Sequence, residues 1–292
     1  SEPLARAGEA RQDIDLIWGA TLTRFVSLST GRLGSQFLSV GRVQTPTLVL
    51  VAERERERRA FVSEPFWVVK IDLDSQGQTF SALHKEERFT DEARATAVFE
   101  KLATPGQVTA VKQTQRKVPR PAPFNTTSFT SAATSMGFGA AAAMRIAEDL
   151  YMSGHISYPR TDNTVYPSSL DLREALQVLA EGEFSREAET LLAQDALHPS
   201  RGEKRTTDHP PIYPTGGPRR GELGEREWRL YELVARRFMA TLADEAVSES
   251  NRIDLQMSGE PFFARGSRVV SPGWLAYYHY SRQKDQELPV LR

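Results

Sequence analysis

The chain has 292 residues, with 37 Lys and Arg against 38 Asp and Glu, five His and no cysteine. At about 150 residues per domain the length predicts two domains with real cores, and 39% apolar against 26% charged residues excludes a disordered chain. The lack of cysteine removes disulfides, thiolate zinc sites and thiol nucleophiles, and the net charge of −1 excludes a wholesale basic coat while leaving room for a local basic groove.

No run approaches the ~18 uninterrupted apolar residues of a membrane span, and the polar, acidic start lacks the pattern of a signal peptide. Taken in order, Ile14, Ile17, Trp18, Leu22 and Phe25 recur at three- and four-residue spacing and predict a helix over 8–30, ended by Gly31. Residues 34–39 read as a loop. A second helix follows over 45–59, with Pro46 tolerated in its first turn. Its end carries the alternating run 53–59, where pairs such as Glu53 with Arg56 and Glu55 with Arg58 read as a solvated helix end.

From Phe66 to Asp74 the texture turns β-branched and aromatic, and 78–83, 88–89 and 107–113 also read as strands, with a helix over 91–102. A proline cluster at 119–123 marks a boundary. Beyond it a helix capped by Asn125 or Thr126 runs to about Met136, and a second spans 140–152 and closes at Gly154. Residues 155–158 are extended, and further helices fit 168–180 and 186–193. After the Gly/Pro/Arg-rich stretch 214–224 comes a helix over 225–243, then strand texture over 247–257, 261–270 and 274–280. The order helical, β, helical, β is most simply one β domain with a helical block inserted into it.

Three segments carry chemistry. In Ser157-Tyr158-Pro159-Arg160-Thr161-Asp162-Asn163, Pro159 fixes its own φ and keeps Tyr158 out of the helical region. Arg160, two residues on in an extended chain, points to the same side as Tyr158. A phenol of pKa ~10 needs a nearby cation to act as an oxyanion at neutral pH, and a guanidinium matches a phosphate fork. Tyrosine with arginine is what transesterification at a phosphodiester asks for, although a Tyr-Pro corner serves ordinary loops equally well. The second segment, 206–215, is stiffened by three prolines around His209, a group that titrates near neutrality but as readily serves structure. The third, 38–45, brings Ser39, Arg42 and Gln44 to a helix start, where they can donate to phosphates or base edges or simply cap the helix.

Together, in this order, the three resemble the type IA DNA topoisomerases. Leu38 to Gln44 followed by the Glu/Arg run resembles that family's "GRVQ…ERE" signature. Phe124–Thr127, Gly137–Gly139 and Tyr158–Asp162 resemble its active-site region, and "DHPPIYPT" with "SYPRTDN" is most similar to the archaeal branch. The resemblance implies a multidomain α+β core: residues 1–62 from a helical gate base, 63–118 and 222–292 a β arch, and 119–221 a helical domain bearing the nucleophile. It implies cleavage and rejoining of one DNA strand through a 5′-phosphotyrosyl link, without ATP, by Tyr158 as nucleophile, Arg160 on the scissile phosphate and His209 assisting. Arg11 and Asp15 would join Ser39, Arg42 and Gln44 as DNA-binding residues. The implied partner is single-stranded or underwound DNA, bound by a monomer in the cytoplasm on the chromosome. The implied cofactor, Mg²⁺, belongs to an N-terminal acidic module that nothing in these residues matches, so the chain reads as a fragment that is inactive alone. An alternative from the residues themselves is a winged-helix DNA-binding module without chemistry, since a helix-turn-helix followed by an extended piece spans 126–158. Against it, residues 140–152 hold Arg145 as the one base beside Glu148 and Asp149.

Overall fold

The computed structural model describes residues 2–75, 77–281, 288 and 289, and the chain divides into two compact units, the first ending at Phe66 and the second beginning at Trp67. In the first unit the helix expected over 8–30 starts sooner and is interrupted. Helix α1 (Glu2–Asp13) passes into a π-helical turn (Ile14–Trp18) and on into α2 (Gly19–Ser29). Good helix formers and an Arg6–Glu2 pair at four-residue spacing carry α1 back to the start. Gly31, at φ +68°, ends α2: its N–H bonds Leu28 O at 3.2 Å and the Arg32 N–H bonds Ser27 O at 3.0 Å, a Schellman arrangement that needs the left-handed residue. The loop then returns along α2, where the Leu38 and Val40 N–H groups bond Ser27 Oγ at 3.0 Å and Thr23 Oγ1 at 2.9 Å. Helix α3 (Gln44–Ala60) follows, its charged end paired as Arg54–Glu57, Arg58–Glu55 and Arg59–Glu55.

Among the described residues of this unit only Ser27 is buried. Ile17, Trp18 and Phe25, which the periodicity turns inward, are 69%, 57% and 66% exposed. Three helical segments and a loop are too little material to enclose them.

The second unit is α+β. Its antiparallel sheet runs β1-β2-β5-β4-β3, built from β1 (Lys70–Ser75), β2 (Gln78–His84), β3 (Gln107–Val118), β4 (Ala246–Met257) and β5 (Glu260–Ser271). The two β-textured stretches therefore join in one sheet, β3 pairing with β4 across the helical block. Ser258 and Gly259, at φ 53° and 83°, make the tight β4–β5 turn, which wants two left-handed residues. The strand expected from Phe66 is shorter: Trp67 and Phe89 form an isolated bridge and regular pairing begins at Lys70. Helix α4 (Glu92–Lys101), capped by Asp91, lays Ala95 and Val98 into a core with Phe89, Ile253, Leu255 and Phe262.

The larger core belongs to the helical block: α5 (Thr126–Ser135), α6 (Ala140–Met152), α7 (Leu172–Ala180) and α8 (Ser185–Leu192). Helix α7 starts later than the sequence predicts because Asp171 caps it, accepting the Arg173 and Glu174 N–H groups. Helix α9 (Glu225–Leu242), grouped by sequence order with the β segments, puts Tyr231, Val234 and Phe238 into this helical core. The strand expected over 274–280 is instead two 3₁₀ turns, Gly273–Ala276 and His279–Ser281. Trp274 and Tyr278 are both buried with the helices, and the Trp274 indole N–H bonds Val118 O at 3.1 Å. No helix among the described residues is long and apolar enough to cross a membrane.

Candidate active site

Helix α6 ends as α2 does. Gly154 sits at φ +76°, and its N–H and that of His155 bond Tyr151 O and Leu150 O, both at 2.9 Å. This turns the chain into the extended piece 155–158, which runs beside the proline-stiffened segment. Ile156 bridges Pro214, the Ser157 N–H bonds Tyr213 O at 2.9 Å, and Ser157 Oγ donates to Pro211 O at 3.1 Å and accepts the Tyr213 N–H at 3.0 Å.

The far side of the corner is held as firmly. The Thr126 hydroxyl, in the first turn of α5, donates to Pro159 O at 2.8 Å and accepts the Thr161 N–H at 2.9 Å, while the Thr126 N–H bonds Thr161 O at 2.9 Å. Asn125 and Ser128 form a reciprocal capping box that fixes the helix start on which Thr126 depends. Asn163, 3% exposed, donates through Nδ2 to Thr206 O and His209 O, each at 3.0 Å, and accepts the Val165 N–H at 3.0 Å. One buried amide thus ties the tyrosine corner to the loop that carries the histidine.

Tyr158 is half-buried, and its ring lies between two others. The His209 ring centroid is 4.7 Å away, and Tyr151 of α6 meets it edge-on at 5.3 Å. His209 itself is exposed, and the neighbouring Asp208 carboxyl is held below its usual range by the Thr206 hydroxyl and then by the Asp208 and His209 backbone N–H groups. The Arg160 guanidinium bonds one carboxylate oxygen of Glu148, through Nε at 2.7 Å and Nη2 at 2.5 Å. Glu148 and Tyr151 are three apart on α6 and so neighbours on one face of it. That face receives Arg160 through Glu148 and the Tyr158 ring through Tyr151.

The first unit gathers the other five candidates. Asp15, in the π-helical turn, accepts Arg42 Nε at 2.7 Å and lies 4.0 Å from Arg11 Nε. Gln44 Nε2 donates to Ser39 O at 2.7 Å and Ser39 Oγ at 2.6 Å. Asp15, Arg42, Gln44 and Thr47 line one open groove. The wider π turn, a form often found at functional sites, carries the carboxylate that faces Arg42.

Sequence reasoning passed over Glu148, Tyr151, Thr126 as a clamp, and Asn163. Asn163 and Thr126 carried a signal, each as part of a quoted motif; Glu148 and Tyr151 meet Arg160 and Tyr158 only because the chain turns back on α6 at Gly154. For Mg²⁺ the fit is poor: among the described residues no group of three or more His, Asp, Glu or Cys could hold a metal ion.

The family model for DNA topoisomerase matches residues 1–292. DNA topoisomerase 1 of Archaeoglobus fulgidus is 47% identical over 289 residues, covering 99% of this chain and 42% of the relative. That of Thermoplasma acidophilum is 43% identical over 292 residues, covering 99% and 37%. The solved structure of full-length topoisomerase I from Thermotoga maritima superposes with a TM-score of 0.71 at 26% identity, covering 98% of this chain and 47% of that one. The chain spans about two-fifths of the length of these archaeal relatives.

Proposed function

Because this chain belongs to the type IA DNA topoisomerase family, we propose that it supplies the nucleophile half of a strand-cleaving and rejoining enzyme, with Tyr158 as the attacking group. The observation that carries this reading is the clamped corner: a half-exposed tyrosine ring with an imidazole ring at 4.7 Å, and Arg160, two residues on, held by Glu148. Tyr158 Oη attacks the phosphorus of a single-stranded segment, the new bond joins phenolic oxygen to the 5′-phosphate, and the P–O3′ bond breaks. The phenolic proton ends on the departing 3′-hydroxyl, and the reverse step restores both groups. The phosphotyrosyl ester conserves the linkage energy, so rejoining needs no ATP.

Arg160 moves from Glu148 to the scissile phosphate. The exposed pair it leaves is worth ~0–1 kcal/mol, less than a charge-assisted fork on phosphate. His209, set against the Tyr158 ring, contacts the same phosphate or the adjoining backbone. Arg11, Asp15, Ser39, Arg42 and Gln44 hold the DNA strand, and the enzyme acts as a monomer on the chromosome. A share of two-fifths of the relatives' length and the absence of a metal-type cluster among the described residues support a further reading, that the 292 residues alone do not relax DNA. The winged-helix alternative gains nothing from α6, whose exposed Glu148 faces Arg160 rather than a groove.

The test is a protein in which these residues follow the acidic module the resemblance implies. Denaturing gels should show a covalent adduct with single-stranded oligonucleotide that vanishes in Tyr158→Phe while binding persists, since phenylalanine keeps the ring and loses the oxygen. An adduct that survives the substitution overturns the assignment.

A further inference from the structure

Away from Tyr158, the face of the sheet opposite the α4-covered core carries like charges in register. Lys112 of β3 lies directly opposite Arg252 of β4, and Arg252 directly opposite Arg265 of β5. Residues so paired share a face, so three cations stand in one line across three adjacent strands, an arrangement that disfavours folding unless something else requires it.

Neutralisation is partial. Asp254 takes Arg252 at 2.8 Å and Glu87 takes Arg265 at 3.4 Å, whereas Lys112 makes no ion pair or side-chain hydrogen bond among the described residues. The next row on the same face is all hydroxyl, Thr114–Ser250–Ser267, and beyond it Arg116 stands opposite Ser248. Phe263 lies under the cations, with the Arg252 and Arg265 guanidinium carbons 4.7 and 4.4 Å from its ring centroid. Lys85 and Thr109 add a further cation and hydroxyl to the groove that Lys112, Arg252 and Phe263 line.

We infer that this face is a second nucleic-acid site, which binds the phosphate backbone of duplex DNA independently of the tyrosine corner. The choice of DNA as the polyanion rests on the proposed function. The choice of duplex comes from the surface itself. Single-strand binding favours exposed aromatic platforms for unstacked bases, and Phe263 is 4% exposed beneath two guanidiniums. What remains outward is ammonium, guanidinium and hydroxyl, the donors that contact phosphate without reading sequence. Strand geometry puts Lys112 about 10 Å from Arg265 and about 14 Å from Arg116, a span of roughly three to four base-pair steps of one DNA strand.

The experiment is fluorescence anisotropy with a labelled 20-base-pair duplex and, separately, a 20-nucleotide single strand, titrated between 50 and 200 mM salt. The proteins are the 292-residue chain, Lys112→Ala/Arg265→Ala, and Arg94→Ala on α4 as the control. Arg252 is kept because Asp254 neutralises it more closely, at 2.8 Å, than Glu87 does Arg265 at 3.4 Å. The double variant should bind duplex about tenfold more weakly, with a salt slope shallower by about 2, as expected for two lost phosphate contacts at ~0.9 each. Arg94→Ala should change neither, Lys112→Arg should keep the wild-type slope, and single-strand affinity should be unaltered in all of them. An unchanged slope in the double variant, an equal loss in Arg94→Ala, or no duplex binding by the wild-type chain overturns the inference. The tyrosine reading is judged apart, by single-strand binding and the covalent adduct, so either can fail without the other.

Discussion

Residues 1–66 and 67–292 hold their candidate functional side chains by opposite means. In the second unit the tyrosine corner is bonded to buried polar groups, Ser157, Thr161 and Asn163, that rest on a closed helical core. In the first, Asp15, Arg42, Ser39 and Gln44 bond mainly to one another, on helices and a connecting loop that bury no apolar side chain among the described residues. A constellation tied to a core is fixed by what surrounds it. One made of exposed pairs has only those pairs and its helix backbone to fix it, and exposed pairs contribute ~0–1 kcal/mol each.

The widest separation between the units should appear on aromatic truncation. Phe129→Ala, at a side chain with no exposure in the helical core, should cost about 3–5 kcal/mol in urea unfolding. Phe25→Ala, 66% exposed, should stay within ~0.5 kcal/mol. A loss above that at Phe25 would show that the first unit has a cover in solution and would erase the contrast.

Next in size is Asn163→Ala, which leaves the Thr206 and His209 carbonyls and the Val165 N–H short of a partner. It should cost ~1–3 kcal/mol and slow cleavage more than it weakens single-strand binding. Equal losses in rate and affinity would make Asn163 a structural residue only.

Alkali should act on the second unit. Burial first, then the Glu232 carboxylate, pushes Tyr280 up to about 12, and burial raises Tyr231, Tyr277 and Tyr278. These groups ionise sooner when unfolded, so the stability they contribute is whole below pH ~10 and is lost as pH rises through the folded values. Unfolding midpoints should fall between pH 10 and about 12, less steeply in Tyr280→Phe; an unchanged slope in that variant would remove Tyr280 from the account.

The smallest effect concerns the exposed pair at the site. Glu148→Gln should leave stability within ~1 kcal/mol and, by freeing Arg160, raise single-strand affinity up to about fivefold. Weaker binding would mean that Glu148 positions Arg160 rather than competing with phosphate for it.

Much of this was legible in the sequence wherever the signal is local. The Asn125 cap, the Gly31 and Gly154 stops, the alternating charges of α3 and the Tyr158-Pro159 corner each depend on neighbours a few residues away. The illegible parts depend on distant partners. The π turn at Ile14–Trp18 presents Asp15 to Arg42, 27 residues on, and the clamp on Tyr158 draws Thr126 and Thr206 from segments 32 or more residues away. Trp274 to Tyr280 reads as alternation only while the chain is taken to be extended; Gly273 at φ +45° and the pull of the helical core wind it instead. Glu148 drew notice only as a charge against DNA binding, because nothing in its own helix points to Arg160.

The central claim, that Tyr158 is the group joined to DNA, is tested most directly by mapping the covalent link. In the protein carrying the acidic module, the adduct can be digested with trypsin and the oligonucleotide trimmed. The peptide spanning residues 146–160 contains both Tyr151 and Tyr158, whose rings lie 5.3 Å apart. Fragment-ion mass spectrometry should place a nucleotide on Tyr158 through its 5′-phosphate. The same mass on Tyr151, or a link through a 3′-phosphate, would contradict the account.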